Sequence, residues 1–477
     1  MMALGLVGIA FGFLTAPKTI EDVEKILADS HHGGHHTEAV AHESHDEHAA
    51  VATHHEEAKT ETVVADSLKT ENDTVAAVAP VADAHHHDNH KAEAAHGQDY
   101  TEAKAHSDHK EHLEHVLHQL QNKPWAALYV ACIFFMLISV GVLAFYAIQW
   151  AAQAGWSPVL FRVMEGITSY LLPGSIIFFI LLVASGMHLN HLFVWMDPEV
   201  VKHDELIQGK QGFLNVPFFL IRAAIFLAGW NLYRYLSRKN SLAQDNANDD
   251  SFYKKNFKLA AGFLVFFIVT ESIASWDWIM SVDPHWYSTL FGWYVFASFF
   301  VSGITTIAFV TLYLKSKGYL EHVNTSHIHD LAKFMFGISV FWTYLWFSQF
   351  MLMWYSNIPE EVTYFITRIE HYKLPFFGML ALNFVFPILI LINTDFKRLS
   401  WVVVMAGLLI LTGHYIDFFN MIMPATVGDQ WFIGVSEIGS LMFFFGLFIV
   451  VVFTALTKAP LLAKRNPLIE ESKHFHY

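Results

Sequence analysis

One stretch constrains the fold of this chain more than any other: residues 270 to 287, where a long apolar run acquires acids, turns at Asp-Pro and becomes apolar again. The flanking residues 257 to 280 and 288 to 314 are each long enough to cross a hydrocarbon core of about 30 Å at about 1.5 Å per helical residue. Glu271 is therefore expected inside a membrane helix and Asp277 near its end. A carboxylate there costs at least about 2.5 kcal/mol, so it usually marks a proton, ion or ligand path. The alternative is an acid hydrogen-bonded to a neighbouring helix with no further role.

The composition is that of a polytopic membrane protein, with 54% hydrophobic and 16% aromatic residues. The single cysteine, Cys132, lies in an apolar run, so the chain has no internal disulfide, no cysteine-ligated iron–sulfur cluster and no Cys-x-x-Cys-His haem site. We expect no cofactor bound by this chain and no nucleic-acid partner. Any redox centre must belong to a partner.

Apolar segments divide the chain into spans. We expect 1–17 to form a transmembrane anchor and 124–457 to form a helix-bundle domain with nine more spans. These lie at 125–150, 166–190, 213–236, 257–280, 288–314, 334–356, 374–393, 399–422 and 431–457. The predicted fold class is an all-α integral membrane protein of about ten helices, as two four-helix bundles plus peripheral helices. Four glycines would permit close helix approach: Gly303, Gly337, Gly378 and Gly407.

Residues 18–123 form a different kind of segment, rich in His, Ala, Glu and Asp. They hold 22 acids against 8 lysines, a net of −14 in a chain of net charge −15, and 19 of its 30 histidines. Low hydrophobicity with high net charge cannot offset the entropy of ordering, so we expect most of this insert to be mobile. It could store metal ions, buffer protons, or be a tolerated low-complexity insert; the sequence leaves all three open.

Basic residues predict the orientation. The short loops on one side carry only Lys202, Lys210, Arg368 and Lys373, whereas the loops, span ends and tail on the other carry many more. The latter are Arg162, Arg234, Arg238, Lys239, Lys254, Lys255, Lys258, Lys315, Lys317, Lys333, Lys397, Arg398, Lys458, Lys464, Arg465 and Lys473. The positive-inside rule then places both termini, including the tail 458–477, in the cytoplasm and the insert on the outer side of the membrane.

With that orientation, the ionisable residues within the spans gather toward the outer leaflet. Outward-running spans end with His188 and His191, with Glu271 and Asp277, and with His414 and Asp417, while inward-running spans carry Arg222 and Glu437. Asp283 and His285 would cap this region from the aqueous side. The two His-containing pairs at spacing i, i+3 are expected to share helix faces, and a histidine beside a carboxylate can exchange a proton near neutral pH. A proton could pass between Glu271 and Asp277 only through a water or another side chain, and His414 or Asp417 could supply that link.

Three segments carry a resemblance to a known family. Residues 275–292 read Ser-Trp-Asp-Trp-Ile-Met-Ser-Val-Asp-Pro-His-Trp-Tyr-Ser-Thr-Leu-Phe-Gly. Residues 12–25 read Gly-Phe-Leu-Thr-Ala-Pro-Lys-Thr-Ile-Glu-Asp-Val-Glu-Lys, and residues 414–417 read His-Tyr-x-Asp. They resemble the second polysulfide-reductase-type (NrfD-like) membrane subunit of alternative complex III, a bacterial quinol:cytochrome c oxidoreductase. The resemblance covers about 124–457 and the N-terminal helix, and excludes the insert.

The resemblance implies a respiratory electron-transport subunit, embedded in the lipid bilayer, without a redox cofactor of its own. Its partners would be a related NrfD-like membrane subunit, an iron–sulfur subunit, and multihaem and monohaem cytochrome c subunits holding the haem c and clusters; a terminal oxidase as a further partner is left open. Menaquinol would be oxidised by the complex. The resemblance implies proton translocation for this subunit, through Glu271, Asp277 and Asp417 with His414, and leaves quinone binding open.

A rival function from another class is a metal-ion or proton-coupled secondary transporter, in which His-rich loops and intramembrane His/Asp pairs also occur. Against it, no membrane segment shows the dense His and acid spacing of a metal site. A third interpretation is a scaffold whose buried acids have no present role.

Overall fold

The computed structural model of the chain describes residues 1–33 and 93–476, and these residues form helices and no strand. The helices are α1 (Met2–Thr15), α2 (Ile20–Gly33), α3 (Glu93–Ala151), α4 (Phe161–Ile167), α5 (Leu171–Gly186), α6 (Pro198–His203), α7 (Glu205–Lys210), α8 (Val216–Gln244), α9 (Ser251–Trp278), α10 (Phe291–Ser316), α11 (Thr325–Ser356), α12 (Pro359–Glu370), α13 (Lys373–Leu380), α14 (Phe386–Leu391), α15 (Ser400–Val427), α16 (Val435–Leu456) and α17 (Ile469–Lys473). The predicted all-α class is confirmed.

Within the described residues, nine helical segments are long and apolar enough to cross a membrane, or ten if α1 and α2 count together as one broken span. Their outward faces expose large apolar side chains, among them Ile180, Val265 and Leu389, as lipid-facing surfaces do. The protein is therefore a multi-pass membrane protein. A helix, α1, is present where the anchor at 1–17 was predicted, but its 14 residues span only about 21 Å at 1.5 Å per residue, and α1 alone is not one of the nine segments.

The membrane part of α3, within residues 112–151, and α10 are mostly buried and pack closely against each other. A Cβ atom on Gly303 would lie 2.8 Å from the backbone nitrogen of Val142, and one on Gly141 would lie 2.5 Å from the carbonyl oxygen of Phe299. The two backbones can approach this closely only because both positions lack a side chain. Gly407 likewise faces Phe309, as expected. The expectation is wrong for Gly337 and Gly378, where a Cβ would meet open space.

Eight membrane segments form two groups of four, one on each side of this contact. The first bundle joins α3 with α4–α5, α8 and α9, and the second joins α10 with α11, α13–α14 and α15. The division matches the two predicted four-helix bundles. One segment is irregular, because a π-helical turn at Ala381–Val385 separates α13 from α14 just before Pro387.

The helices α1 and α16 pack against each other outside the two bundles. A Cβ on Gly8 would lie 2.8 Å from the Cα of Gly439, and one on Gly5 would lie 2.5 Å from the backbone nitrogen of Phe443. Small residues on both helices thus let the backbones touch, a common means of association between membrane helices. The sequence reading did not single out these glycines.

The connecting segments gather at two ends of the helices. At one end, called here the loop face, residues 187–215, 279–290, 357–372 and 428–434 contact one another, for example where Trp286 stacks on Tyr364. At the other, called the tail face, the C-terminal tail contacts the 152–157, 245–250 and 317–324 connections. The larger set of basic residues, from Arg162 to Lys473, lies toward the tail face, and Lys202, Lys210, Arg368 and Lys373 lie toward the loop face. The assignment of the loops to two sides from the sequence is therefore correct.

The chain divides into two compact units, one of residues 1–20 and 114–477 and the other of residues 21–113. The predicted insert boundaries, 18 and 123, fall near these limits. Within the second unit the structure describes the helical residues of α2 and the first part of α3. The expectation of mobility, and most of the histidine clusters, fall on residues 34–92, which lie outside the described residues.

Candidate functional site

The first polar cluster of the membrane domain is an ion pair in the first bundle. The Arg222 guanidinium on α8 donates from Nε to Asp277 Oδ2 at 2.7 Å and from a terminal nitrogen to Asp277 Oδ1 at 2.8 Å. Both side chains are buried. This two-point geometry is the strongest form of an arginine–carboxylate contact.

The same guanidinium lies between two aromatic rings, with its carbon 4.0 Å from the ring centre of Phe213 and 4.1 Å from that of Phe218. Its remaining terminal nitrogen donates to the carbonyl oxygen of Phe213 at 3.0 Å. Every side of the arginine is thus occupied, and both Asp277 oxygens accept from it. We call Arg222, Asp277, Phe213 and Phe218 the ion-pair cluster.

Glu271 lies six residues, less than two helical turns, before Asp277 and has different surroundings. Its side chain is buried, Oε2 lies 3.5 Å from the Ser272 hydroxyl, and Oε1 has no hydrogen-bond partner among the described residues. The carboxyl borders a cavity of about 10 Å³, between α3, α8, α9 and α10, and the indole Nε1 of Trp278 on the same wall also lacks a partner in the described part of the chain. One water molecule needs about this much space.

The second bundle buries a cluster around Asp417 on α15. The Tyr294 hydroxyl donates to Asp417 Oδ1, while the Ser298 hydroxyl and the Trp342 indole each donate to Oδ2 at 2.9 Å. The three donors come from α10 and α11, so three helices build the site. Hydrogen bonds of this number offset the cost of burying a carboxylate.

His414 completes this cluster one turn before Asp417. Its Nδ1 lies 2.9 Å from Ser298 Oγ and 3.5 Å from Asp417 Oδ2. A hydroxyl has one proton, so if Ser298 donates to Asp417, His414 must donate from Nδ1 to Ser298. The other ring nitrogen, Nε2, has no hydrogen-bond partner among the described residues and could take up a proton. We call Tyr294, Ser298, Trp342, His414 and Asp417 the hydrogen-bonded cluster.

The π-helical turn before α14 brings Asn383 against this cluster, with its amide nitrogen 3.4 Å from His414 Nδ1. A Cβ on Gly413 would lie 2.0 Å from the Asn383 side-chain oxygen, so the turn fits only because the residue before His414 is a glycine. Gly413, His414 and Pro387 can all be read from the sequence. The sequence did not predict that the π-helical turn before Pro387 would contact His414.

The structure brings together only some of the residues expected to form one path. His414 and Asp417 contact the second bundle and make no hydrogen bond to Glu271 or Asp277 in the described residues. The side-chain link that His414 or Asp417 could have supplied between Glu271 and Asp277 is therefore not formed within the described residues, which leaves the water as the alternative. Each bundle has its own polar cluster, because the acids point toward their own neighbouring helices.

His188 and His191 do not share a helix face, contrary to the expectation. The helix α5 ends at Gly186, and both histidines are exposed in the following loop, where His188 has a left-handed backbone (φ 58°). Partial burial and the neighbouring His118 lower the pKa of His191. The predicted span was drawn four residues too long because apolar Met187 and Leu189 continue its pattern.

Asp283 and His285 do lie on the loop face, as expected. The His285 ring nitrogen Nε2 lies 2.5 Å from Asp204 Oδ2, and the Lys210 ammonium donates to the Pro284 carbonyl oxygen at 2.5 Å. The hydrogen bond from the backbone N–H of Ile207, followed by the contact with His285, lowers the pKa of Asp204. These contacts tie the 279–290 loop to α7.

Glu437 is buried at the start of α16, where its Oε2 accepts from the backbone N–H of Gly434 at 2.8 Å. This is a helix-capping contact.

Glu437 also borders a cavity of about 290 Å³, the largest of the cavities described here, and the exposed walls of this cavity are apolar. The lining residues are Leu374, Pro375, Gly378, Tyr415, Ile416, Phe419, Trp431, Ile433, Glu437, Ile438 and Leu441.

A further buried cluster lies toward the tail face. Arg162 donates to Glu165 at 2.8 Å and to Asp245 at 2.6 Å, and the Tyr146 hydroxyl donates to Glu165 at 2.9 Å. Arg238 donates to the Glu165 carbonyl oxygen at 3.1 Å. From the sequence only Arg162 and Glu165 stand out, so this half appears sparse. Asp245 was missed because it follows α8 in a polar segment that reads as an ordinary loop.

The fold and these clusters define the class: a multi-pass α-helical membrane protein whose two bundles bury separate polar clusters, with no group of three metal-ligating side chains in the described residues. Comparison with known proteins adds no narrower assignment, since no family model and no curated protein matches the chain.

Proposed function

We propose that this chain is a membrane subunit of a bacterial respiratory quinol:cytochrome c oxidoreductase of the alternative complex III type, corresponding to its second NrfD-like subunit, ActF. Its contribution is proton translocation together with assembly of the complex. The proposal rests on the resemblance of the 275–292 segment, of the 12–25 segment and of His414 to Asp417. Haem c and iron–sulfur clusters belong to the partner subunits in this proposal, and the inner membrane is its location.

The observation that carries the proton-translocation part is the setting of Glu271. A buried carboxyl with an unpartnered oxygen beside a cavity for one water can take up and release a proton, whereas a carboxyl held at two points by arginine cannot do so without losing its pair. We therefore assign proton transfer to Glu271 and a fixed charge to Asp277 with Arg222.

The second bundle supplies a second proton-handling group. A proton on His414 Nε2 would make the ring a cation next to Asp417, and the Ser298 hydroxyl connects the two. Ionisable groups that lie together in a membrane interior commonly form such relays. The tail-face cluster of Tyr146, Arg162, Glu165 and Asp245 would supply the opposite entry.

Menaquinol binding by this chain has weaker support. The cavity of about 290 Å³ has apolar exposed walls, which suit an acyl or isoprenoid chain better than a quinol head, whose oxygens need polar partners. We accordingly assign quinol oxidation to the partner subunits.

The test is purification of the affinity-tagged chain from its native membranes in mild detergent. We expect multihaem cytochrome c, non-haem iron and a related membrane subunit to copurify, and the preparation to reduce cytochrome c with a menaquinol analogue. If the chain purifies without partners, and if the reconstituted protein takes up a solute or metal ion in a proton-coupled manner, it is instead a transporter.

A further inference from the structure

Arg368 on α12 is a buried cation without an acidic partner. It is almost fully buried and forms no ion pair within the described part of the chain. Its Nε donates to the carbonyl oxygen of Asn420 at 3.0 Å, and one terminal nitrogen donates to that of Tyr364 at 2.7 Å. The Tyr364 ring centre lies 3.3 Å from the guanidinium carbon.

The sequence of α15 explains why a carbonyl is available there. Pro424 lies inside the helix and has no N–H, so the carbonyl of Asn420, four residues earlier, loses its helical partner. Inside a membrane such a carbonyl must be satisfied by another group. Arg368 supplies that hydrogen bond and thereby holds α12 against α15 at the loop face.

Next to this contact lies a cavity of about 10 Å³, lined by Tyr294, Gln349, Asn420 and Arg368 together with aromatic and methionine side chains. Two of its polar atoms, Gln349 Nε2 and Asn420 Oδ1, are buried and make no hydrogen bond to described residues. One is a donor and the other an acceptor. Cavities of this size with polar partners of both kinds hold a water molecule.

We propose that a single ordered water occupies this cavity and joins the hydrogen-bonded cluster to the loop face. The water accepts from Gln349 Nε2, donates to Asn420 Oδ1 and lies within reach of the Tyr294 hydroxyl, which also contacts Asp417. Gln349 and Asn420 are thus positioning residues for a proton path, and Arg368 with α12 closes its outer end. The transport role rests on the proposed function; the water site does not.

The transfer step is a shift of protons without any redox change. When Asp417 takes up a proton, the Tyr294 hydroxyl rotates from Asp417 toward the water. Protonated Asp417 then gives its proton to the Tyr294 oxygen while Tyr294 gives its phenolic proton to the water, so that one O–H bond forms for each that breaks. The resulting hydronium passes a proton toward the loop face. The positive charge of Arg368 destabilises a hydronium ion in the cavity and therefore speeds release of the proton toward the loop face. The same charge hinders entry of protons from the outside.

The first experiment is a structure of the complete purified protein at a resolution that reveals ordered water. We expect a density peak at about 3 Å from both Gln349 Nε2 and Asn420 Oδ1. Side chains of Gln349 and Asn420 bonded directly to each other, or an empty cavity, would overturn the proposal whether or not redox partners copurify.

The second experiment measures quinol-driven proton release at the loop-face side of sealed vesicles. The variant is Gln349→Met, and Gln149→Met is the matched control. Gln149 is also a buried glutamine, but it lies at the tail-face end of α3, away from the cavity. We expect Gln349→Met to slow proton release at least about tenfold while cytochrome c reduction by uncoupled vesicles is retained, and Gln149→Met to have no such effect.

Equal proton release by Gln349→Met and the wild type would show that the water is structural and would overturn the relay. A parallel Tyr294→Phe variant, which keeps the ring and removes the phenolic proton, must show the same slowing. Unchanged release in that variant would overturn the transfer step in particular, and copurification of the redox partners would still support the proposed function.

Discussion

The ion-pair cluster and the hydrogen-bonded cluster solve the same problem, a buried aspartate near the loop face of a membrane bundle, in different ways. Asp277 is neutralised by one guanidinium that contacts both of its oxygens. Asp417 instead accepts from three uncharged donors and lies beside His414, whose Nε2 has no hydrogen-bond partner in the part of the chain that the structure describes. The first arrangement fixes a charge, and the second leaves room for a proton to move. A buried acid in a membrane helix is therefore not by itself a sign of proton transfer; its partners decide.

The largest effect should come from breaking the ion pair. Arg222→Met leaves Asp277 buried without a counter-charge, and loss of one partner of such a pair costs about 3 to 5 kcal/mol. We expect little folded protein in detergent, measured by fluorescence-detected size exclusion after heating. The double variant Arg222→Met/Asp277→Leu should recover most of the stability, since it buries no charge. A single variant as stable as the wild type would mean that the pair is not a structural element.

The hydrogen-bonded cluster should respond less in stability and more in function. Asp417→Asn keeps the shape but turns an amide nitrogen toward one or more donors, at a cost of about 1 to 3 kcal/mol. We expect the complex to assemble with its full haem content and to release protons more slowly. Should Asp417→Asn prevent assembly as completely as Arg222→Met, the distinction between the two clusters would be lost.

A smaller effect is expected when one donor is removed from each bundle. Tyr294→Phe removes a hydrogen bond to Asp417, and Tyr129→Phe removes one of 2.7 Å to the carbonyl oxygen of Trp278. Hydrogen bonds inside membrane proteins contribute about 0.6 kcal/mol on average, so both variants should lower the unfolding temperature slightly and equally. Only Tyr294→Phe should slow proton release, as measured with a pH dye in sealed vesicles. Equal slowing in both would point to a general loss of packing.

The exposed pair of His285 and Asp204 serves as the reference for a contact outside the membrane, and it should have the smallest effect. Because the pKa of Asp204 is lowered in the folded protein, its stabilising contact is present above the ordinary aspartate pKa and is lost as the pH falls through the lowered value. Hydrogen–deuterium exchange of the 279–290 loop should therefore rise only in acid, below about pH 4. Asp204→Asn should remove that pH dependence. A rise in exchange already near neutral pH would show that a different group holds the loop.

The sequence predicted the all-α class and the nine spans of the helix-bundle domain, since apolar runs of fixed length determine these features in a membrane. It also singled out ionisable residues such as Glu271, Asp277 and Asp417, because any ionisable group within a span stands out. Which groups meet could not be predicted. Glu271 and Asp277 lie six residues apart on one helix, yet one faces Trp278 and a cavity and the other faces α8.

Other features depended on breaks in regular structure. The end of α5 at Gly186, with His188 in a left-handed conformation, is invisible to hydropathy because the residues that follow are still apolar. The π-helical turn that carries Asn383 to His414 depends on Gly413 from another helix, a long-range requirement. Polar loop residues such as Asp245 carry no signal until the fold brings them to a buried arginine.

Glu271→Gln gives the most direct test of the central claim that this chain moves protons for a quinol:cytochrome c oxidoreductase. The amide keeps the size and the polar contact of the carboxyl but has no proton to transfer. The measurement is the charge separated per electron during quinol-driven cytochrome c reduction in sealed vesicles. We predict a fully assembled complex that reduces cytochrome c at a substantial rate and separates less charge per electron. An unchanged ratio, or a collapse of quinol oxidation together with loss of quinol binding, would contradict the account.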